Sequence, residues 1–418
     1  MKKKQNKMDR RDFLKTIGAV GVGSVLPSCD AKAEPNDPNA VAKMPGPALP
    51  QVPKRKLGRT SIEVPCLSLG LMYDLIEKQI ILRKSVELGI SFWDTAPAYA
   101  GGNSELGIGK FLAKNPEVRK DVFLATKASG ARTVNDVEKC LQASLKRLNT
   151  SYIDLYHGVH ALTDPEQLTD ELKQWVKDAK KRKLIRSFGF SMHTNIAENL
   201  AAVAKLDWID AIMTSYNFRL MQDAKIPEAI DACYNKGIGL IAMKTTGKTI
   251  VSWARQDIET KEDKKLIDHF LQRGFGEEQA TIKLVLDDKR ISSACVGMEN
   301  VAILSSNQAA VLDKTELTKE HFEVFREYAK ATCSGYCAGC ANICNPVLPD
   351  MPYVSDIMRY LMYYNTYGDK DRARGLFARI PREVRNKLLR TDYSVAEARC
   401  PQQLPIGKLI AEAISKLA

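Results

Sequence analysis

Residues 122–157 read VFLATKASGARTVNDVEKCLQASLKRLNTSYIDLYH. VFLATK and YIDLYH are short, β-rich apolar runs. Between them Val134, Val137, Leu141, Leu145 and Leu148 recur at steps of three and four, which gathers them on one face of a helix. The stretch therefore reads strand, helix, strand. The same alternation extends in both directions. CLSLG (66–70) and SFWDT (91–95) precede it; RSFGFS (186–191), AIMTSYN (211–217), GLIAMKT (239–245) and SACVGM (293–298) follow. Helical patterns fill the gaps, clearest at 76–89, 133–148, 166–182 and 224–236. Eight strands, each followed by a helix, predict the α/β class and a (β/α)8 TIM barrel over residues 54–312. No G-x-G-x-x-G turn follows the first strand, which argues against an open doubly wound sheet.

The chain has 418 residues, of which 44% are hydrophobic, enough for a large core and too many for global disorder. Its net charge of +12 is concentrated, since residues 1–15 alone contribute +5. No basic face interleaved with aromatics is visible, so nucleic acid is not an expected partner. No apolar run approaches the length of a membrane-spanning helix.

The N-terminus reads as an address. MKKKQNKMDRRDFLK precedes an uncharged, glycine-rich stretch from Thr16 to Ser28. A charged region followed by a weakly apolar one is the pattern of an export signal. Arg10-Arg11 followed by Phe13 and Leu14 resembles a twin-arginine signal. Leu26-Pro27-Ser28-Cys29 resembles a bacterial lipobox, which would leave Cys29 lipidated. Residues 1–28 are thus a leader, and 29–53, rich in proline, a tether. A periplasmic location and a lipid anchor in the membrane are expected. Twin-arginine export carries folded proteins, often with a cofactor already inserted, which directs attention to the cysteines.

Cys66, Cys140, Cys233 and Cys295 sit apart in apolar or helical contexts and read as core thiols. Cys333, Cys337, Cys340 and Cys344 are crowded into TCSGYCAGCANICNP, and Cys400-Pro401 follows 56 residues after Cys344. Several thiolates converging on one point suit a soft metal centre. The run resembles the C-x2-C-x2-C-x3-C-P pattern of bacterial ferredoxins, with one extra residue in its first gap. In that pattern a remote Cys-Pro completes the first cluster. The expectation is one [4Fe-4S] cluster on Cys333, Cys337, Cys340 and Cys400, with Cys344 left over. Alternatives are Cys344 in place of Cys400, a structural zinc ion, or disulfides.

In a TIM barrel the chemistry lies at the C-terminal ends of the strands. Those ends carry Asp94, Lys127, His157, His160, Ser191 and Lys244, with Tyr99 in the loop after Asp94. A phenol beside an ammonium that is itself held by a carboxylate is a proton-transfer device, because the cation favours the phenolate. A histidine can orient a substrate carbonyl. His157 keeps the inward parity of its strand. His160 needs a bulge, which Gly158 can provide, and lies nearer the strand end.

FWDTAPAYAGGNSELGIGKFL, VFLATK and YIDLYH, together with KLGRTSIEVPCLSLG and GMENVAILSSN, resemble the aldo/keto reductase family. The likeness spans residues 54–312. It implies a TIM barrel that moves hydride between NADP(H) and a small carbonyl or alcohol. The implied tetrad is Asp94, Tyr99 as proton donor, Lys127 and a histidine, His160 being preferred to His157. Ser191, Lys244, Gly297, Asn300 and Asn307 match cofactor-binding positions. Met192, Met213 and Glu299 depart from the pattern. The first two remove amides that could bind nicotinamide, and Glu299 would repel a 2′-phosphate, so NAD is as open as NADP. Residues 313–418 resemble the cluster-bearing tail of a bacterial iron–sulfur subgroup and are expected to be a mainly helical, ferredoxin-like segment.

The favoured function is an exported oxidoreductase of a small carbonyl or alcohol, sugar-like molecules being among the expected substrates. Hydride carries two electrons and a cluster passes one at a time, so a flavin or a redox partner protein is expected to bridge them. Two other readings are an electron-transfer subunit with a silent barrel, and a non-redox lyase or isomerase using Tyr99 and Lys127.

Overall fold

Eight parallel strands close into a barrel in which β10 (Ile291–Gly297) returns to pair with β3 (Leu67–Gly70). Between them run β4 (Phe92–Asp94), β5 (Phe123–Lys127), β6 (Ile153–Leu162), β7 (Ile185–Met192), β8 (Ala211–Ser215) and β9 (Gly239–Met243), each beside its neighbour in sequence. The computed structural model describes residues 49–248, 250 and 276–418. The leader over 1–28, Cys29 with its lipobox, and most of the tether lie outside the described residues. The strands coincide with the eight sequence runs, and a helix follows each of them, from Gln79–Glu87 after β3 to Val301–Leu312 after β10.

Helix Val134–Arg147 illustrates why these segments fold as they do. Thr133 caps it: its hydroxyl accepts the Asp136 N–H at 3.2 Å while the Asp136 carboxylate accepts the Thr133 N–H at 3.1 Å. Val137, Leu141 and Leu145 then face inward, each worth about 1.5–3 kcal/mol when removed from water. The barrel interior is filled by Phe92, Phe123, Ala125, Leu155, Ala211, Met213, Ile241 and Cys295. Its N-terminal end is plugged by a hairpin of β1 (Lys54–Lys56) and β2 (Glu63–Pro65), which adds Leu57 and Val64 to the same cluster. Chemistry is therefore confined to the opposite end.

Two boundaries differ from the sequence reading. Residues 49–53 are not tether: Val52 is buried and donates to the Leu88 carbonyl, and the Pro53 carbonyl accepts the Cys66 N–H at 2.8 Å. At the other end, helix Lys319–Ala331 packs Phe325 and Ala329 against Phe218, Ala280 and Leu284 of the barrel body. The helical lobe thus begins near Cys333 rather than at residue 313.

That lobe contains helices Val354–Asn365, Lys370–Ala378, Ser394–Arg399 and Ile406–Leu417, and no strand among the described residues. It has its own core, with Met351, Ile357, Leu361, Phe377, Leu409 and Ala413 all buried. It sits on the C-terminal end of the barrel. The Gly339 carbonyl accepts the Asn195 N–H at 3.0 Å, the Tyr336 hydroxyl accepts from Asn217 Nδ2 at 3.0 Å, and the Gly335 carbonyl accepts the Ile250 N–H at 2.7 Å.

Candidate active site

Asp94 and Lys127 end adjacent strands, so their side chains meet at the rim. Lys127 Nζ donates to both Asp94 carboxylate oxygens at 2.7 Å and to the Thr95 carbonyl at 2.8 Å. Both are buried, and a buried ion pair is tolerated only with such complete hydrogen bonding. Tyr99 follows β4 in a turn where Ala100, Gly101 and Gly102 all have positive φ. Two glycines make that turn affordable, and it lays the Tyr99 ring 4.7 Å from Lys127 Nζ. Burial opposes the Lys127 charge, but Asp94 and Tyr99 overcome it and hold the ammonium above its ordinary range. Burial pushes the Tyr99 phenol up, outweighing the downward pull of Lys127, so it stays protonated at neutral pH.

β6 supplies both histidines and separates them. Its pairing with β7 slips once between His157 and Val159 and again between His160 and Leu162. Gly158 lies at the first slip, where an added Cβ would come within 2.3 Å of the Phe188 ring. His160 consequently lines the cavity with Tyr99, their ring centres 6.3 Å apart, and its Nδ1 lies 2.7 Å from the Ser129 hydroxyl. His157 lies opposite Lys127 in the strand pairing and is fully buried. Among the described residues neither of its ring nitrogens makes a well-aligned hydrogen bond, and the Phe190 backbone offsets this only in part. Burial, and then the Lys127 charge, hold its imidazole down at about 3. The same two causes keep His160 neutral, well below its ordinary pKa.

The cavity at this end has a volume of about 940 Å³. Tyr99, His160, Met213, Cys295 and Gly297 line it from the barrel; Arg359, Tyr363, Tyr367 and Arg372 line it from the helical lobe. The lobe residues were not anticipated. Their only signal in the sequence is the density of tyrosine and arginine in RYLMYYNTYGDKDRAR (359–374).

The five positions matched to cofactor binding are scattered. Ser191 is buried in β7, and its hydroxyl accepts the Ala161 N–H at 3.1 Å. Lys244 follows β9 with φ +58° and points its ammonium at the Tyr363 and Tyr367 rings, 4.4 and 4.6 Å from their centres. Gly297 lines the cavity. Asn300 caps helix Val301–Leu312 by accepting the Ile303 N–H at 2.9 Å, and Asn307 is buried in that helix with Nδ2 unpartnered. Neither asparagine lines the cavity. A nicotinamide, if bound here, would be held by the apolar lining residues Met213, Met243 and Cys295, and of the five matched positions Lys244 and Gly297 share that cavity.

Four of the cysteines come together elsewhere in the molecule. Cys337, Cys340, Cys344 and Cys400 line one small cavity, closed otherwise mainly by apolar residues such as Val354, Ala396 and Ile406. Cys333 is not part of its lining; it sits two residues past the end of helix Lys319–Ala331. Cys344, which the spacing left over, lines this hollow, and Cys333, which the spacing included, does not. The cysteines are free thiols, not disulfides. Burial raises the Cys337 thiol and lifts Cys340 to about 11, and the neighbouring thiols add to both shifts. Among the described residues no three His, Cys, Asp or Glu side chains are drawn together closely enough for a single metal ion. Four soft donors around a shared hollow fit a polynuclear cluster better than one zinc ion. Cys337 also lines a crevice shared with His193, Lys244, Arg359 and Tyr367, and those four line the large cavity too.

A barrel closed at one end, with a phenol, an ion-paired lysine and a neutral histidine at the other, is the architecture of a carbonyl-reducing enzyme. The sequence pattern of the aldo/keto reductase family matches residues 72–330, more than half of the chain, and the chain belongs to that family. It is an oxidoreductase enzyme of the aldo/keto reductase type. It is similar to L-galactose dehydrogenase of Arabidopsis thaliana, 26% identical over 286 residues that cover 63% of this chain and 89% of that protein. It is also similar to L-glyceraldehyde 3-phosphate reductase of Escherichia coli K12, 25% identical over 328 residues, covering 67% and 93%. The fold is shared with an aldo-keto reductase from Bacillus halodurans solved in its holo form. That likeness has a TM-score of 0.53 and 23% identity, over 67% of this chain and 97% of that one.

Proposed function

We propose that the protein interconverts a carbonyl and an alcohol on a small, sugar-like molecule, with Tyr99 as the proton donor. The observation that carries this reading is the Asp94–Lys127–Tyr99 chain facing a shared cavity with His160. The two relatives named for a sugar and a sugar phosphate support the substrate class. The chemistry that a nicotinamide, the cofactor typical of the family, would supply when bound is hydride transfer to or from the substrate carbon. In reduction the carbonyl oxygen takes the electron pair of the C=O bond, and Tyr99 gives it a proton. The Lys127 ammonium stabilises the phenolate left behind, and Asp94 keeps that ammonium in place. In the tautomer with its proton on Nε2, neutral His160 accepts the Ser129 O–H at Nδ1 and orients the carbonyl oxygen through Nε2. Tyr99→Phe deletes only the phenolic O–H and should lower turnover about 10²-fold or more, the scale of general acid–base catalysis. Full turnover by that variant on its true substrate would end this reading.

The four thiols Cys337, Cys340, Cys344 and Cys400 would hold a [4Fe-4S] cluster, which exchanges single electrons, with a redox partner protein as the other end of that exchange. The crevice from Cys337 to Lys244 and Arg359 supports a connection between the cluster and the barrel cavity. The leader and Cys29 support export by the twin-arginine route to a lipid-anchored, periplasmic location. Membrane fractionation of wild type and Cys29→Ala tests the anchor; soluble wild-type protein with unmodified Cys29 would refute it. One observation favours a second reading. Lys244 and Tyr363 form another ammonium–phenol pair at the same cavity, as a redox-neutral lyase or isomerase would need. Product formation with no change in oxidation state would select it.

A further inference from the structure

The helical lobe and the barrel each bring to the cavity a cation with no carboxylate partner among the described residues. Arg372, from helix Lys370–Ala378, places its guanidinium 5.0 Å from the Tyr99 ring centre and 4.8 Å from that of Tyr363. Its Nη1 is buried without a hydrogen-bond partner. Lys244 faces the Tyr363 and Tyr367 rings. No carboxylate among the described residues pairs with either cation. Arg359 lines the same wall and is partnered by Asp356 at 2.5 Å. The other carboxylates of the cavity stand at its rim: exposed Glu299 pairs with Lys78 at 3.8 Å, exposed Asp74 accepts from the Asn103 amide, Asp369 accepts the Arg372 backbone N–H, and Asp371 is exposed. An acidic rim around a cationic interior disfavours a polyanion lying along the mouth and favours one compact anion inside it. Leaving a buried guanidinium N–H unpaired costs free energy that such an anion would recover.

We propose that Arg372 and Lys244 form an anion subsite beside Tyr99, and that the substrate carries a carboxylate or phosphate close to its reacting carbon. Because the Arg372 guanidinium lies over the Tyr99 ring, its anion and the atom protonated by Tyr99 belong to one small molecule. The planar fork of arginine matches a carboxylate best, so a sugar acid or hydroxy acid is the class assigned. This assignment rests on the barrel cavity being the substrate site.

Calorimetry on the full-length holoprotein, with D-galacturonate and D-galactose as probes, tests it. Galacturonate should bind about 10-fold or more tightly, about 1.4 kcal/mol. Arg372→Gln should erase that preference while leaving galactose unchanged, and Arg372→Lys should keep part of it. A glucose 6-phosphate arm separates carboxylate from phosphate. Equal binding of the first two probes, no binding of galacturonate, or a preference that survives Arg372→Gln would overturn the subsite. So would Arg372→Gln weakening NADP⁺ but not galacturonate, since the anion would then be the cofactor's. Tyr99→Phe should retain the preference. Full turnover in that variant with the preference intact would remove the proton-donor reading and leave the subsite standing.

Discussion

Gly339 lies against the His193 carbonyl so closely that a Cβ on it would come within 2.2 Å of that oxygen. Gly339 belongs to the cysteine loop and His193 to the loop after β7, so the contact joins the cysteine loop to the barrel. Its φ of +78° adds a second reason for glycine. Gly339→Ala should destabilise the docked lobe by about 2 kcal/mol or more, since both steric clash and backbone strain act in the same direction. Activity should fall while far-ultraviolet circular dichroism of the barrel persists. Unchanged kinetics and an unchanged melting temperature would contradict the close contact.

The buried histidines predict acid sensitivity with a definite sign. His157 is held at about 3 in the folded chain against an ordinary 6.5. Between these values the unfolded chain binds a proton that the folded chain refuses. Stability is therefore full above about pH 6.5 and falls as the pH drops toward 3, by roughly 1.4 kcal/mol per pH unit for each such group. His160 and His193 shift in the same direction. Urea unfolding between pH 7 and 5 should show this slope, and His157→Leu should make it shallower. His160→Ala should cost more activity than His157→Ala, because only His160 reaches the cavity.

Iron content separates the cysteines. Cys337→Ser, Cys340→Ser, Cys344→Ser and Cys400→Ser should each lose most of the iron from anaerobically prepared protein, and Cys333→Ser should keep it. Wild type should carry about four irons per chain with broad visible absorbance. Zinc without iron would exclude the cluster, and iron lost from Cys333→Ser but kept in Cys344→Ser would restore the set expected from spacing.

Tyr363 should titrate early. Burial opposes ionisation, yet Lys244, Arg372 and Arg359 together bring its phenol down to about 8. Ultraviolet difference titration should show one tyrosine ionising near pH 8, absent in Tyr363→Phe and displaced upward in Lys244→Met. A tyrosine spectrum flat until pH 10 would show that these cations do not converge on the ring.

The barrel was legible because its signal is repeated eight times, and each repeat obeys the same packing rule. That Asp94, Lys127, Tyr99 and His160 would lie together was legible because strand ends are a defined place, and the β6 slip was foreshadowed by Gly158 among histidines that parity alone could not serve. Spacing did not show which cysteines share the hollow, for a physical reason. It counts residues along the chain, whereas burial depends on how short helix Ala341–Cys344 turns toward Cys400. The effect of Lys127 on Tyr99 was read with the right sign, but burial, invisible in sequence, outweighs it. Arg372 was missed because nothing in the sequence says that the lobe is laid across the barrel mouth.

The lobe and the barrel have separate hydrophobic cores, and the large cavity lies along the seam. Such cores can open as distinct cooperative units at different free energies. Half of the pocket wall then exists only while the less stable unit is closed. Catalytic competence would report that local equilibrium, whereas global melting would report the barrel. Heating or mild denaturant should silence the enzyme while most of its amide protons remain protected, and cooling should restore it without refolding of the barrel.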